Sequence, residues 1–190
     1  NFTNESVSLH DYSLPGYRTA AAGMQSTLNG YVVSGSNSTG RTSDNTKINF
    51  TNGAVVNTNS FSSAYMYSVG FQSSAKGYVA GGLIPSTRDV YYANIYAMSF
   101  STETQAMAGS FNGAARSSCA AISAPSFGYI CGGYNGSYKN TVDKWSFGTD
   151  TSVISSFSLV TPRYQSVAAV SATEGFVFCG QSSAGGISSI

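Results

Sequence analysis

The chain has 190 residues, enough to bury a core, but only 9% of them are charged and the formal net charge is +1, where an average globular protein is about 25% charged. With no basic cluster there is no phosphate-neutralising surface, so nucleic acid is excluded as a partner, and no apolar run approaches the roughly twenty residues of a membrane-spanning helix. Ser, Thr, Asn, Gly and Tyr stand where Lys and Glu usually would, and the scarcity of strong helix formers predicts strands.

Opening on Asn1 rather than Met, the chain reads as a processed product or a segment of something longer. In chain order, a first unit begins at Arg18 with the small-residue run Thr19-Ala20-Ala21-Ala22, continues through Gly30-Tyr31-Val32-Val33-Ser34-Gly35 and ends in Lys47-Ile48-Asn49-Phe50. The second places Tyr65 where Arg18 stood, then Gly77-Tyr78-Val79-Ala80-Gly81-Gly82 and Ala97-Met98-Ser99-Phe100. The third is Arg116, the run Ser117-Ser118-Cys119-Ala120-Ala121, then Gly128-Tyr129-Ile130-Cys131-Gly132-Gly133 and Lys144-Trp145-Ser146-Phe147. The fourth is Arg163 and Gly175-Phe176-Val177-Phe178-Cys179-Gly180. Successive Gly-aromatic starts fall 47, 51 and 47 residues apart.

Each unit reads as four short strands: the small-residue run, the Gly-aromatic run, the apolar-x-Phe run, and a weaker alternating segment such as Val153 to Leu159. Four-stranded units of about 40 to 50 residues predict a β-propeller with one blade per unit, the small residues suiting the crowded innermost strand. The expected domain is single and spans 1–190, with repeats at about 10–52, 53–104, 105–151 and 152–190 plus 1–9. Asn1-Phe2-Thr3-Asn4 is identical to Asn49-Phe50-Thr51-Asn52, and Ile190 corresponds to Ile48. The N-terminal segment is therefore expected to supply the outer strand of the last blade and close an all-β ring of four antiparallel four-stranded blades. The alternative is half of a larger ring, in which two chains exchange end strands.

Three cysteines are too few for a disulfide scaffold and lack metal-ligand spacing. Cys119 and Cys131 flank Pro125 symmetrically and would face each other across a hairpin centred there, as a candidate disulfide or as two small apolar residues on a buried face.

Arg, a small run, Gly-Tyr, Gly-Gly and apolar-Asp-Lys-aromatic-Ser-Phe together resemble kelch-type propeller repeats. The Ser/Thr/Gly-rich variety of phage virion and tail-associated proteins is the nearest likeness, carried by Thr141 to Asp150 and Phe157 to Arg163. The resemblance implies a virion structural protein or tail fibre with a part in adhesion and host attachment, located on a virion or an extracellular surface. Partners would be other virion or surface proteins, copies of itself, or cell-surface glycans.

No enzyme is expected, and no cofactor. Copper chemistry on such a ring would need several histidines, and His10 is the only one. Arg18, Arg116 and Arg163 recur at the repeat spacing, which gives them a structural task rather than a place in an arginine-based site. The acids are scattered, with no pair placed for acid/base work. Binding is better supported: the loops between second and third strands carry Asn37, Arg41, Arg88, Asp89, Tyr91, Tyr92, Tyr134, Asn135 and Tyr138. Tyrosine beside Asn, Ser and Gly offers rigid aromatic area with adaptable hydrogen bonding, and suits carbohydrate as well as protein surfaces.

Overall fold

The computed structural model describes residues 14–86 and 88–188. They form antiparallel β-sheet throughout, with no helix among the described residues. Sheet one joins β1 (Ala22–Gln25), β2 (Asn29–Val33), β5 (Asn45–Asn49) and β6 (Val55–Thr58), with a small hairpin of β3 (Ser36–Asn37) and β4 (Gly40–Arg41) inserted after β2. Sheet two joins β7 (Val69–Gln72), β8 (Lys76–Ala80), β11 (Asn94–Ser99) and β12 (Gln105–Ser110), with β9 (Leu83–Ile84) and β10 (Val90–Tyr91) as its inserted hairpin. Sheet three joins β13 (Ala120–Ser123), β14 (Phe127–Cys131), β15 (Val142–Ser146) and β16 (Thr151–Ile154). Sheet four pairs β17 (Val167–Val170) with β18 (Gly175–Phe178) and is followed by a hairpin of β19 (Gln181–Ser182) and β20 (Gly185–Gly186).

Local chemistry explains the repetition. In three of the units a serine starts the first hairpin turn: Ser26 Oγ accepts from the amides of Leu28 and Asn29, Ser73 Oγ from Ala75 and Lys76, and Ser171 Oγ from Thr173 and Glu174. The exit from each second strand takes two successive residues with positive φ: Ser34–Gly35, Gly81–Gly82, Gly132–Gly133 and Cys179–Gly180. The second residue of each pair has φ near 100°, which explains why glycine holds it in all four units.

The predicted correspondence of Ile48, Met98 and Trp145 appears in the register, where they lie opposite Gly30, Gly77 and Gly128. Those glycines, and Gly175, head the second strands, and three of them receive a side chain from the first strand of the sheet before. A Cβ on Gly77 would fall on Met24, one on Gly128 on Phe71, and one on Gly175 on Ile122. Backbone bonds repeat the same coupling. The amides of Tyr67, Ser118 and Gln165 donate to the carbonyls of Ala20, Tyr67 and Ser118, and those of Gly35, Gly82 and Gly133 donate to Tyr65, Arg116 and Arg163.

Apolar clusters fill the spaces between successive sheets. Met24, Tyr31 and Val33 pack with Tyr96 and Met98; Phe71, Tyr78 and Ile95 pack with Ile130 and Trp145; Ala120, Cys131 and Val142 pack with Ala168 and Val177. Burying these side chains contributes roughly 1.5–3 kcal/mol each for the larger ones. Polar ties recur at the rim. Tyr31 and Lys47 of sheet one donate to Glu103 in sheet two, and Tyr78 and Lys76 of sheet two donate to Asp150 in sheet three.

The arginines have the structural task that their spacing predicts. Arg116 donates to the carbonyls of Gly132, Ile130 and Ala114 and to Asp143, and it lies over the Phe111 ring. Arg163 donates to Thr161 and Cys179, and Arg18 to Asp44. Tyr65 holds the corresponding place in sheet two by stacking on Tyr92 and accepting from Asn94.

The expected closing strand of residues 1–9, with His10 and Ile190, lies outside the described residues. One expectation is corrected. The turn of the third unit runs Ala124 to Phe127 around two central residues, not around Pro125 alone, so Cys131 faces Ala120 and Cys119 falls one residue out of register. Adjacent strand residues point to opposite faces. Cys119 therefore packs beside the Phe71–Trp145 cluster and Cys131 beside Val142, and all three cysteines are free thiols. Burial pushes the Cys119 thiol up to about 11 and that of Cys131 up to about 12. A thiol reagent at pH 8 is accordingly expected to modify the exposed Cys179 at once and the other two only after unfolding. Rapid modification of three thiols in the native protein would contradict this packing.

Candidate binding surface

The segment before each first strand and the hairpin after each second strand meet at one end of the sheets. Isolated bridges join them in all four units: Thr19 with Ser36, Met66 with Leu83, Ser117 with Tyr134, and Tyr164 with Gln181. Across each hairpin the opposed residue is Arg41, Tyr91, Tyr138 or Gly186. Positions the framework uses identically thus carry different side chains, and four of the nine in sheets two to four are tyrosines.

They form a continuous row. The Tyr91 ring lies 6.3 Å from Tyr134, edge to face, and Tyr134 lies 5.5 Å from Tyr138 and 5.3 Å from Tyr164. Tyr138 and Tyr164 close the group at 5.5 Å, and the Tyr164 hydroxyl donates to Gln181 Oε1 at 2.7 Å. All four rings are half-buried, so each is held by its neighbours while part of it faces solvent. Burial, then the nearby Asp89 and Tyr134, raise the pKa of Tyr91, so its hydroxyl remains a donor at neutral pH. Edge-to-face and offset contacts at these distances stabilise the cluster by about 0.5–1.5 kcal/mol per pair beyond area burial.

Of the residues predicted for binding, the structure brings Tyr91, Tyr134 and Tyr138 together. Asn135 flanks them, its Nδ2 donating to the Ala115 carbonyl. Asp89 adjoins Tyr91, and Arg88 is exposed on the same loop. Asn37 and Arg41 sit apart on the hairpin of sheet one, where Asn37 Oδ1 accepts from Thr39 and Arg41 donates to the Ala64 carbonyl. Tyr92 belongs to the framework: its ring stacks on Tyr65 at 4.5 Å, and its carbonyl accepts from the Arg116 amide. Tyr164 and Gln181 complete the row without having been singled out from sequence. The signal available was position: Tyr164 directly follows Arg163, where the other units carry Thr19, Met66 and Ser117.

A second concavity, about 260 Å³, lies at the opposite end between sheets three and four, lined by Ile122, Tyr129, Phe157 and Val170. It opens where sheet four, among the described residues, has no third strand to cover Ile122. No group of three or more His, Cys, Asp and Glu is placed to hold a metal ion among the described residues, and no helix there is long and apolar enough to cross a membrane. No protein-family model matches the chain, and no curated protein matches it by sequence.

Proposed function

We propose that the chain is a non-enzymatic adhesive module, a kelch-like β-propeller of an extracellular particle such as a phage virion, whose contact surface is the tyrosine row. The blade reading is supported by the recurring coupling of successive first strands and by the glycine that heads every second strand. The observation that carries the binding role is the row itself. Four half-buried tyrosines from three sheets stand on the hairpins and on the segment bridged to one of them, where the backbone pairing is uniform and the side chains are not. A framework would not require aromatic rings there, since Ser36 and Thr19 occupy the same positions in sheet one.

The favoured ligand class is carbohydrate. Half-buried rings beside the Tyr164–Gln181 hydrogen bond and the Asn135 side chain suit the apolar faces and hydroxyl edges of a pyranose. Binding of the protein to a panel of surface glycans and to intact host cells is the test. Tyr138→Ala and Tyr164→Ala are each expected to weaken binding about tenfold or more, while the loss of two ring contacts lowers the melting temperature by roughly 2–12 °C and leaves the protein folded at the assay temperature. Glycan binding untouched by both substitutions would place the ligand elsewhere. Binding to purified virion proteins in place of glycans, lost in the same variants, would move the surface from host contact to particle assembly.

A further inference from the structure

Every sheet has a leading face, turned to the sheet before it, and a trailing face, turned to the sheet after. Trailing residues Met24, Tyr31 and Val33 of sheet one meet leading residues Val79 and Met98 of sheet two, and Phe71 and Tyr78 of sheet two meet Ile130 and Trp145 of sheet three. Among the described residues, two faces remain without a neighbouring sheet. The trailing face of sheet four presents Val167, Ala169, Phe176 and Phe178, with Val167 63% exposed and Ala169 exposed. The leading face of sheet one presents Gly23, Gln25, Gly30, Val32, Thr46 and Ile48; Gly23 and Gln25 on its first strand are exposed, while Thr46 on its third strand is buried. None of these residues is charged.

The two faces are complementary by the rule that the molecule itself uses. Met24, Phe71 and Ile122 each fill the space above a glycine in the next sheet. Ala169 is the fourth residue of that series and Gly30 the matching glycine, yet only the ring of Phe50, from its own sheet, lies near Gly30. The backbone bonds of a fourth coupling, from Ala20 to the Gln165 carbonyl and from Gly180 to the Arg18 carbonyl, are not made among the described residues. Because the three existing couplings use the same bonds and the same packing, each turns the next sheet by a similar angle. A quarter turn per sheet would have returned sheet four to sheet one. Among the described residues sheet four does not meet sheet one, which is what a smaller step and an arc of four sheets would leave.

We infer that a second copy of this chain completes the arc, the trailing face of sheet four in each copy packing on the leading face of sheet one in the other. The result is a two-fold ring of eight sheets. This rests on the propeller reading of the sheets and not on the tyrosine row. The partner must offer a glycine-headed second strand beside an uncharged apolar face, and the leading face of a first sheet is such a surface. A heterologous contact of this kind closes when its rotation divides the circle, and two contacts formed in one ring reinforce each other.

Sedimentation equilibrium of the intact chain is expected to give twice the 19.7 kDa protomer mass. Ala169→Glu charges the trailing face and Gly23→Glu the leading face, both at exposed positions, and a Cβ on Gly23 meets nothing within 4 Å. Each variant alone is expected to lose dimerisation by about 100-fold or more while keeping its near-ultraviolet circular dichroism. Mixing the two is expected to give association tighter than either variant shows alone, because one copy's intact trailing face meets the other's intact leading face, but weaker than wild type, because the second contact carries both glutamates. That gain separates a face-to-face contact from loss of folding. A wild-type monomer at every concentration, an open-ended series of larger species, a dimer indifferent to both substitutions, or a mixture that associates no more tightly than either variant alone would each overturn the inference. Neither substitution touches the tyrosines, so glycan binding and dimerisation fail independently.

Discussion

Asp143→Ala is expected to destabilise the protein by about 3–5 kcal/mol, the cost of leaving a buried charge without its partner. Asp143 and Arg116 side chains are 0% and 1% exposed and pair at 2.7 Å between Oδ2 and Nη2. The rest of the guanidinium is committed to backbone carbonyls of Gly132, Ile130 and Ala114, and the second carboxylate oxygen accepts from the Gly113 amide at 2.8 Å. Removing the carboxylate thus strands the guanidinium and frees the Gly113 amide. The Arg18–Asp44 pair sets the contrast: at 3.6 Å, with the Asp44 side chain 45% exposed, its loss is expected to cost under about 1 kcal/mol. Urea unfolding of both variants checks the difference, read as a shift in midpoint at constant slope. The double replacement Arg116→Met with Asp143→Leu is expected to recover only the part of the loss that comes from the orphaned charge, since the Gly132, Ile130 and Ala114 carbonyls and the Gly113 amide lose their side-chain partners as well. Equal midpoints for Asp143→Ala and Asp44→Ala would refute the buried-pair account.

The framework was legible because its signals are local. Strand alternation and a glycine fixed in phase with an aromatic residue place Ile48, Met98 and Trp145 opposite their glycines without reference to any other part of the chain. What those glycines are for was not legible. Met24, Phe71 and Ile122, which occupy the space, belong to the preceding unit, and nothing in the spacing announces them. The cysteine pairing failed for a different reason. A turn with one more central residue shifts every opposed pair by one, and Pro125 fits either turn. Repeat arithmetic likewise counts four units but carries no information on the angle between them.

Three of the four tyrosines of the row could be read from the chain. Tyr134 and Tyr138 stood out in a loop rich in Asn, Gly and Ser, and Tyr91 in another. Tyr92 looked equivalent to Tyr91 by adjacency, but alternation sends successive side chains to opposite sides, and the one turned inward stacks on Tyr65. Tyr164 was hidden by Arg163, whose structural spacing drew its neighbour into the framework. Only the bridge to Gln181 places it beside the hairpin.

Gly70→Ala is expected to cost about 3 kcal/mol or more, lowering the melting temperature by roughly 6–12 °C for a chain of this size. A Cβ at Gly70 would lie 2.0 Å from the Gly23 carbonyl oxygen and 2.8 Å from its carbon, both backbone atoms that no rotamer change can move. The first strands of sheets one and two are also clamped at that approach, by Tyr67 donating to the Ala20 carbonyl and Gly35 to the Tyr65 carbonyl. Relief therefore requires the two sheets to part, which opens the cluster of Met24, Tyr31, Tyr96 and Met98. Gly23→Ala, across the same contact, meets nothing within 4 Å and is expected to change stability by less than about 1 kcal/mol. The repeat pattern alone forecasts the opposite for Gly70, because Ala121 and Ala168 hold the same position in sheets three and four. Thermal melts of the two alanine variants side by side decide between the two. If both melt with the wild type, the spacing of the first two sheets follows the repeat average; if only Gly70→Ala falls, the sheets are as close as the 2.0 Å approach requires.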